Sequence, residues 1–455
     1  MNLWNLFFRG IALTIFITLA SGIYTLSIVK SDFDIMVTES IRVVRDTTHF
    51  AINAWATENE YHIKVLAQAP KIITFTEELL ATNHSQKALL AHPAQKEIRD
   101  YLKPVLSGHE LRGFFIISRD NINLASTRDN NTGISNLTIN KAEFQRRVWN
   151  GDTLISSPQE SDVPLKNHQG IFIDHYPTMF VGTPIRNSEG KIIAIFTLRI
   201  DPTIKLRDIV RSGRIGETGE SYLIDSEGYL LTNSRFDDEL ISQKLLTKGE
   251  SSSFNIKVNN PTSNVNNEKS SLTRMAASVT KGDSGIDVDG YTDYRGKVVV
   301  GAWTWEPLLM FGIVTEIDSS EAFAPYNRTQ QLFIIFTIGV MLFFGGFSWL
   351  FVHIHSRMKL NENQADTLFE NAGDPILIID KTSGDIISAN KLTSTLLKYS
   401  QKELSGLNIL SLREGSTKEN ILADLKEVNN KGSKLIQTSY CDKMVIKSPS
   451  KSVLR

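Results

Sequence analysis

The chain has 455 residues, a formal net charge of -1 and 41% hydrophobic residues, a length that accommodates two to four domains. Because the charge is close to zero, no basic surface favours nucleic acid as a partner. The only cysteine, Cys441, excludes a disulfide framework and a zinc site built from cysteines. Composition therefore narrows the class of protein without indicating its function.

Two uncharged apolar runs, 10–29 and 332–352, divide the chain. Each has about 20 residues, the number that spans a bilayer as a helix. A cleaved signal peptide is the alternative for the first run, because small residues stand near its middle. A buried core helix is the alternative for the second run, although Phe, Leu and Ile occupy all of its faces. We expect transmembrane helices at 10–29 and 331–352.

Basic residues beside these two runs predict the topology. Arg9 precedes the first run, and Arg357 and Lys359 follow the second. Basic residues favour the cytoplasmic side of a membrane. We therefore expect residues 1–9 and the C-terminus inside the cell, and residues 30–330 outside it.

The region after the first run is predicted to be helical, because apolar residues recur there at helical spacing up to about residue 106. Pro70 and Pro93 divide it into successive helices. Strands are then predicted at 113–118, 122–126, 153–157, 178–185 and 191–200. After a short helix and Gly213, further strands are predicted at 221–225, 229–233, 297–304 and 309–317.

One hairpin pattern occurs twice in this outer region. The stretches "GFFIISRDNINLASTR" (113–128) and "ESYLIDSEGYLLTNSR" (220–235) align at an offset of 107 residues. Each reads as a strand, a polar turn and a second strand that closes on Ser/Thr-Arg. The sequence thus predicts two α/β modules in tandem, a distal one at about 110–201 and a proximal one at about 213–318.

Three longer phrases carry a family resemblance: "PTMFVGTPIRNSEGKIIAIFTLRIDP", "GRIGETGESYLIDSEGYLLTNSRFDDEL" and "DGYTDYRGKVVVGAWTWEP". They resemble the double Cache sensor domains of bacterial receptors, over most of residues 31–325. Such domains occur on histidine kinases, nucleotide and diguanylate cyclases and chemoreceptors. The resemblance implies a periplasmic sensor in the bacterial inner membrane, a homodimer that binds a small-molecule ligand in its distal module.

The segment that follows a connector at 353–365 resembles the start of a PAS domain. Strands are predicted at 375–380 and 386–390 around a turn, with Asn390 and Gly406 where that family commonly has Asn and Gly. The end of the chain supplies at most two short strands, and "IKSPSKSVLR" is polar and contains a proline. We therefore expect an incomplete PAS domain at 366–455. The predicted fold class is α+β: a long N-terminal helix, two tandem PAS-like modules, two transmembrane helices and this PAS segment.

Motifs for catalysis or metal binding are not recognised in the sequence. The glycine-rich stretch 213–219 precedes a strand, whereas phosphate loops follow one and open a helix. His168, Asp174 and His175 lack the spacing of a metal site. No nucleophile elbow, phosphoacceptor helix, ATP-binding lobe or cyclase loop is present. We therefore predict no catalytic residue, metal or cofactor.

A ligand pocket is the better hypothesis for the distal module. The predicted site residues combine cations, rings and polar groups that suit a small zwitterion or organic anion: Arg128, Arg147, Trp149, Asp174, Tyr176 and Thr183. Amino-acid-binding Cache domains carry a fuller Arg-x-Trp-Tyr pattern, whereas here Asn150 follows Trp149. The alternative is that the rings are core residues and the charges face solvent. Arg235, the repeat partner of Arg128, favours a structural role common to both modules.

The sequence as a whole predicts a transmembrane receptor that passes a ligand signal to its PAS segment and to a separate cytoplasmic signalling protein. A histidine kinase or diguanylate cyclase without its catalytic half is the alternative. A purely structural anchor would leave the paired modules unexplained.

Overall fold

The protein is described by a computed structural model that covers residues 3–108, 110–136, 142–167, 170–261, 271–380, 382–413, 417, 419–421, 423–424, 427, 434–440 and 448–454. His168 and Cys441 lie outside the described residues. The helices are α1 (Leu3–Ala67), α2 (Pro70–Leu80), α3 (Gln86–Ala91), α4 (Pro93–Leu106), α5 (Ala142–Trp149), α6 (Lys205–Ser212), α7 (Asp237–Ser242), α8 (Arg274–Val279), α9 (Ser319–Ala322), α10 (Ala324–Glu370), α11 (Lys391–Leu397) and α12 (Gln401–Leu404). The strands are β1 (Leu111–Ile117), β2 (Asn123–Ser126), β3 (Leu154–Ile155), β4 (Gln159–Glu160), β5 (Leu165–Lys166), β6 (Phe172–Ile173), β7 (Pro177–Arg186), β8 (Ile192–Ile200), β9 (Glu220–Ile224), β10 (Gly285–Thr292), β11 (Val298–Glu306), β12 (Phe311–Asp318), β13 (Leu377–Ile379), β14 (Ile386–Ala389), β15 (Lys434–Tyr440) and β16 (Ser448–Leu454).

Helices α1 and α10 contain the two apolar runs, and both are long and apolar enough to cross a membrane. Helix α1 is uninterrupted over 65 residues, because the first proline of the chain, Pro70, follows the end of the helix. Helix α10 continues to Glu370, through the residues predicted as a connector, because 347–372 contain neither glycine nor proline. At Gly22 the two helices approach so closely that a Cβ atom would lie 1.7 Å from the Phe333 ring.

The first sheet is formed by residues between 111 and 200 and has six strands. Its order is β2-β1-β8-β7-β3, with β4 also paired to β7, and all of its pairs are antiparallel. The pairing of β1 with β8 contains a bulge: Leu111 faces Ile200 and Gly113 faces Arg199, so that Arg112 has no partner. A bulge of this kind redirects the side chain of the extra residue.

The second sheet has the order β10-β11-β12-β9. The residues predicted as a strand at 229–233 form only isolated bridges, Ile224 with Leu230 and Tyr229 with Lys257. The Ile224 bridge stands where β2 pairs with β1 in the first sheet. In both sheets the first strand of the unit therefore lies between its hairpin partner and the last strand.

One apolar core joins α1 to both sheets. Ile52, Trp55 and Ile63 of α1 are buried together with residues of β1 and β8 and with Phe311 and Ile313 of β12. Full burial of a large apolar side chain contributes roughly 1.5–3 kcal/mol. The core therefore packs the second half of α1 against both sheets.

The PAS segment contains two separate pairs of strands, β13 with β14 and β15 with β16. Asn390 is fully buried, and its side chain accepts from the backbone N–H of Ile376 and Thr393 and donates to the carbonyl of Asp374. It thus fixes the start of β13 to the N-terminus of α11. Within the described part of the chain, strand β16, which includes Pro449, pairs only with β15.

Candidate functional site

A small cleft opens on the distal sheet beside the bulge in β1. Its cavity volume is about 20 Å³, and the cleft is open to solvent at its mouth. The lining residues come from β1, β5, β8 and the segment after β2: Arg112, Gly113, Phe115, Thr127, Arg128, Asn131, Leu165 and Arg199. Three of these eight residues are arginines, whose guanidinium groups make the cleft suited to an anion.

Arg199 is the buried cation of the cleft. It is only 4% exposed, and its guanidinium lies 5.7 Å from the centre of the Phe115 ring and 5.1 Å from that of Phe180. Ser161 accepts one hydrogen bond, and the nearest carboxylate, Asp162, is 3.8 Å away. The buried Nε has no hydrogen-bond partner among the described residues. Burial lowers the pKa of Arg199 to about 10, with Asp162 opposing the shift and Arg128 adding to it.

Arg112 is held in place by a buried carboxylate. Its Nε and one terminal nitrogen donate to Asp201 over 3.0 and 2.7 Å. The hydroxyl of Tyr176 donates to the same Asp201 oxygen, and Thr203 donates to the other. Burial raises the pKa of Tyr176, so this hydroxyl stays protonated. Arg112 is thus positioned with its charge already neutralised.

Arg128 supplies an additional positive charge. Its side chain is exposed, and within the described part of the chain it forms no ion pair. Because Asp201 neutralises the charge of Arg112, the positive charges of the cleft that remain available to a ligand are those of Arg128 and of the incompletely paired Arg199. Arginines bind a carboxylate or a phosphate through two parallel hydrogen bonds. The arrangement can therefore hold the anionic group of a small molecule.

The residues predicted from sequence fall into two groups. Arg128 lines the cleft, and Tyr176 is linked to it through Asp201. The other four lie apart from the cleft lining: Arg147 pairs with Asp152 at 3.0 Å, Trp149 lies under Arg119, Asp174 is exposed and Thr183 hydrogen-bonds Thr153. Arg147 and Trp149 sit at the end of the short helix α5, where a nearby acid satisfies the arginine.

Sequence reasoning missed Arg112, Arg199 and Asp201. Arg199 interrupts the apolar run of β8, and a charge inside a buried strand is a usable signal. Arg112 carries no such signal, because only the bulge places it beside Asp201. The described residues contain no group of three metal-ligating side chains.

The proximal module contains a cluster of buried acids and tyrosines. Glu316 accepts from the hydroxyls of Tyr222 and Tyr291 over 2.8 and 2.7 Å. Glu220 accepts from Tyr294 over 2.5 Å. Burial raises the pKa of Glu316 to about 8, and Asp293 adds to the shift. Burial also raises the pKa of all three tyrosines well above 10.0, so they remain donors.

Comparison with known proteins supplies one family match. Residues 363–446 match the model of the PAS fold, and the predicted PAS segment is confirmed. None of the curated proteins matches the chain.

Similar solved structures are sensor domains, each related at low identity. The ligand-binding domain of the Pseudomonas aeruginosa amino acid chemoreceptor PctB is 14% identical over 66% of this chain and 93% of its own, with a TM-score of 0.36. That of the Campylobacter jejuni chemoreceptor Tlp3 is 10% identical over 64% and 94%, with a TM-score of 0.40. The sensor domain of the Vibrio cholerae histidine kinase DctB is 10% identical over 63% and 98%, with a TM-score of 0.37.

Proposed function

We propose that this chain is a transmembrane receptor that binds a small anion in the arginine cleft of its distal module. Residues 30–330 form its periplasmic sensor region, anchored in a bacterial inner membrane by spans at 10–29 and 331–352. The signal passes through these spans to the PAS segment at 366–455. Both ends of this chain are cytoplasmic, and the receptor is a homodimer.

The observation that carries this proposal is the state of Arg199. A buried guanidinium ordinarily has a carboxylate in contact and all of its donors satisfied. Arg199 instead has its carboxylate at 3.8 Å, beyond hydrogen-bond distance, and a buried Nε without a partner among the described residues. An anion that enters the cleft supplies both a charge and an acceptor, and so stabilises the protein that binds it.

Two further observations support a receptor over an isolated binding protein. The same chain contains two helices long enough to cross a membrane and a PAS match at 363–446. The stretches at 177–202, 213–240 and 289–307 resemble double Cache sensor domains, which occur in receptors of this layout. The two sheets with one strand order agree with tandem modules of the kind that resemblance implies.

The test is a thermal-shift screen of the purified full-length chain in detergent. The panel contains inorganic phosphate, sulfate, mono- and dicarboxylates, and amino acids. We expect at least one anion to raise the melting temperature of the parent chain, because it binds only the folded state, and to have no effect on Arg199→Gln. Arg146→Ala, which removes an exposed arginine paired with Glu143, is the matched control and should respond like the parent.

A shift that survives in Arg199→Gln would place the ligand elsewhere. A panel in which no anion shifts the parent while an uncharged compound does would overturn the anion class. Reporter fusions at Gly249 and Lys359 test the topology separately. A cytoplasmic signal at Gly249 would contradict it.

A further inference from the structure

Two carboxyl side chains face each other inside the second sheet. Glu220 of β9 and Glu316 of β12 are direct partners across their antiparallel ladder, so their side chains lie on one face of the sheet with Cβ atoms about 4.5–5.5 Å apart. They are only 3% and 2% exposed. We name these two residues the carboxyl pair. The arginine cleft is lined by residues of the first sheet, so anion binding there does not use the pair.

Neutral groups supply the hydrogen bonds to the carboxyl pair. Both oxygens of Glu316 accept from tyrosine hydroxyls. Glu220 accepts from the hydroxyls of Tyr294 and Ser234 and from the backbone N–H of Arg235. Within the described part of the chain, neither carboxyl forms an ion pair. These donors hold the carboxyls in place, but they bring no positive charge to offset two negative ones.

The charged groups around the carboxyl pair leave it short of positive charge. Besides the tyrosines, these groups are Asp293, Arg295, Arg214 and Arg235. Arg295 donates to Asp293 over 2.6 Å and to Asp318 over 2.7 Å, so its charge is already balanced by two other carboxylates. Arg214 and Arg235 are partly exposed, and solvent screens their charges. Ionisation of both members would therefore place two negative charges side by side without a buried cation.

Burial opposes the ionisation of both members of the carboxyl pair. It raises the pKa of Glu220, and it raises the pKa of Glu316 to about 8, with Asp293 adding to both shifts. Strand β11 lies so close that a Cβ atom at Gly301 would be 2.9 Å from the Cγ of Glu316, which leaves no room there for water to solvate a second charge. Two carboxyls that share such a site retain a proton between them.

We propose that the carboxyl pair is a proton-binding site through which the outer region responds to the pH of its surroundings. Either member can carry the proton, which is released to water as the pH rises. This inference goes beyond anion binding, because it uses neither the arginine cleft nor its ligand. It gives the chain a second input, located in the second sheet.

Both members of the carboxyl pair lie next to contacts that lead to α10. Glu316 is in β12, which is followed by α9 and then by α10. Glu321 of α9 accepts from the backbone N–H of Glu217 and Thr218, which directly precede β9. When the proton is lost, like charges across the ladder oppose the pairing of β9 with β12. Because both strands are joined to α9, their separation shifts the start of α10.

Infrared spectroscopy of the full-length chain in detergent tests the site, because a protonated carboxyl has its own C=O band. The parent should show this band at about pH 6 and lose it with a midpoint at about pH 8. In Glu220→Gln and in Glu316→Gln the remaining carboxyl has no like-charged neighbour, so the midpoint should fall by about one pH unit or more. Glu189→Gln, in an exposed turn, is the control and should keep the midpoint of the parent.

A parent chain without a protonated carboxyl at about pH 6 would overturn the proposal. So would a band that keeps its midpoint in both glutamine variants of the pair and disappears in Asp293→Asn, because the proton would then belong to Asp293. No anion is added to these samples, so the outcome does not depend on whether the arginine cleft binds one.

Hydrogen exchange measures whether the proton controls the strands. After correction for the intrinsic effect of pH, exchange over 220–224 and 311–328 should be at least about tenfold faster in the parent at about pH 9 than at about pH 6. Residues 192–200 of the first sheet are the reference and should not change. Glu316→Gln should remove most of the difference, and its melting temperature reports whether the variant is folded. Equal corrected exchange in the parent at both pH values would refute the pH response.

Discussion

Arg199 and Glu316 occupy the same position in the two sheets of the outer region. Each lies in the last strand of its unit and is followed by Ile-Asp. Arg199 faces Gly113 across the ladder and Glu316 faces Glu220, and Gly113 and Glu220 are themselves equivalent positions of the repeated hairpin. The two sheets thus bury an ionisable side chain at the same place, a base in the first sheet and an acid in the second.

The two buried ionisable side chains differ in how their hydrogen bonds are satisfied. Glu316 accepts hydrogen bonds from two tyrosines of its own module, one of which, Tyr222, replaces the repeat partner Phe115. Arg199 lies over the ring of Phe115, whereas Glu316 accepts a hydrogen bond from the hydroxyl of Tyr222 at the equivalent position. The Glu316 carboxyl therefore finds acceptable hydrogen-bond donors within its own sheet region, whereas the Arg199 Nε has no partner among the described residues.

Replacing Arg199 by methionine should separate ligand binding from folding. Removal of a charge-assisted contact costs roughly 1.5–3 kcal/mol of binding, about a ten- to hundredfold loss of affinity. Without ligand the melting temperature should stay level or rise, since a poorly paired buried cation is replaced by an apolar chain of similar length. Titration calorimetry and thermal melts of the full chain check both. Intact affinity with a lowered melting temperature would assign Arg199 a structural role only.

Arg128→Ala and Arg147→Ala distinguish the cleft from the sequence-based site. Arg128 lines the cleft, so its loss should reduce affinity about tenfold or more without changing stability. Arg147 is paired with Asp152, so its loss should leave affinity within about twofold. Calorimetric titration gives both values. The opposite ranking would move the ligand to the end of α5, where Trp149 also lies.

Stability should depend on pH through Glu316. Its pKa is raised from 4.5 to about 8 in the folded chain by burial. A carboxyl raised in this way favours folding fully below its unfolded pKa, and this contribution is lost as the pH rises through the folded pKa. The melting temperature should therefore fall from about pH 5 to about pH 8, and Glu316→Gln should flatten that fall. Glu189→Gln, in an exposed turn, is the control. An equal slope in both variants would assign the fall to other groups.

Asn390→Ala should loosen the PAS segment alone. The substitution leaves the backbone N–H of Ile376 and Thr393 without their acceptor, at a cost of about 1–3 kcal/mol for each buried group left unsatisfied. Hydrogen exchange should accelerate over 374–397 and stay unchanged over 111–200. Asn371→Ala, which removes only an exposed side-chain hydrogen bond to the carbonyl of Thr367 at the end of α10, is the control. Unchanged exchange around α11 would show that the Asn390 network is dispensable.

The local pattern of apolar residues predicts most of the strands. Which side chains meet in the cleft depends on long-range strand pairing, which the local pattern does not give. Strands 113–118 and 191–200 were placed within two residues of β1 and β8, because alternating apolar residues mark buried strands. The prediction of a strand at 229–233 is wrong. The backbone N–H of Leu230 donates to the carbonyl of Ile256, whereas that of Leu231 donates to the carbonyl of Leu223, so the two residues do not pair with one neighbouring strand. The cleft was missed because Arg112 joins it only through a bulge, and no local pattern signals a bulge.

The contact between Gly22 and Phe333 limits how α1 and α10 can move against each other at this point. A Cβ atom at the position of Gly22 would overlap the Phe333 ring. Rotation of α1 about its axis, or sliding along that axis, would replace Gly22 at this position by a neighbour that has a side chain, and so would produce the overlap. Tilting about the contact is the motion that keeps it intact. Gly22 is then the point about which α1 tilts. A small sideways displacement of α1 on one side of this point produces an opposite displacement on the other.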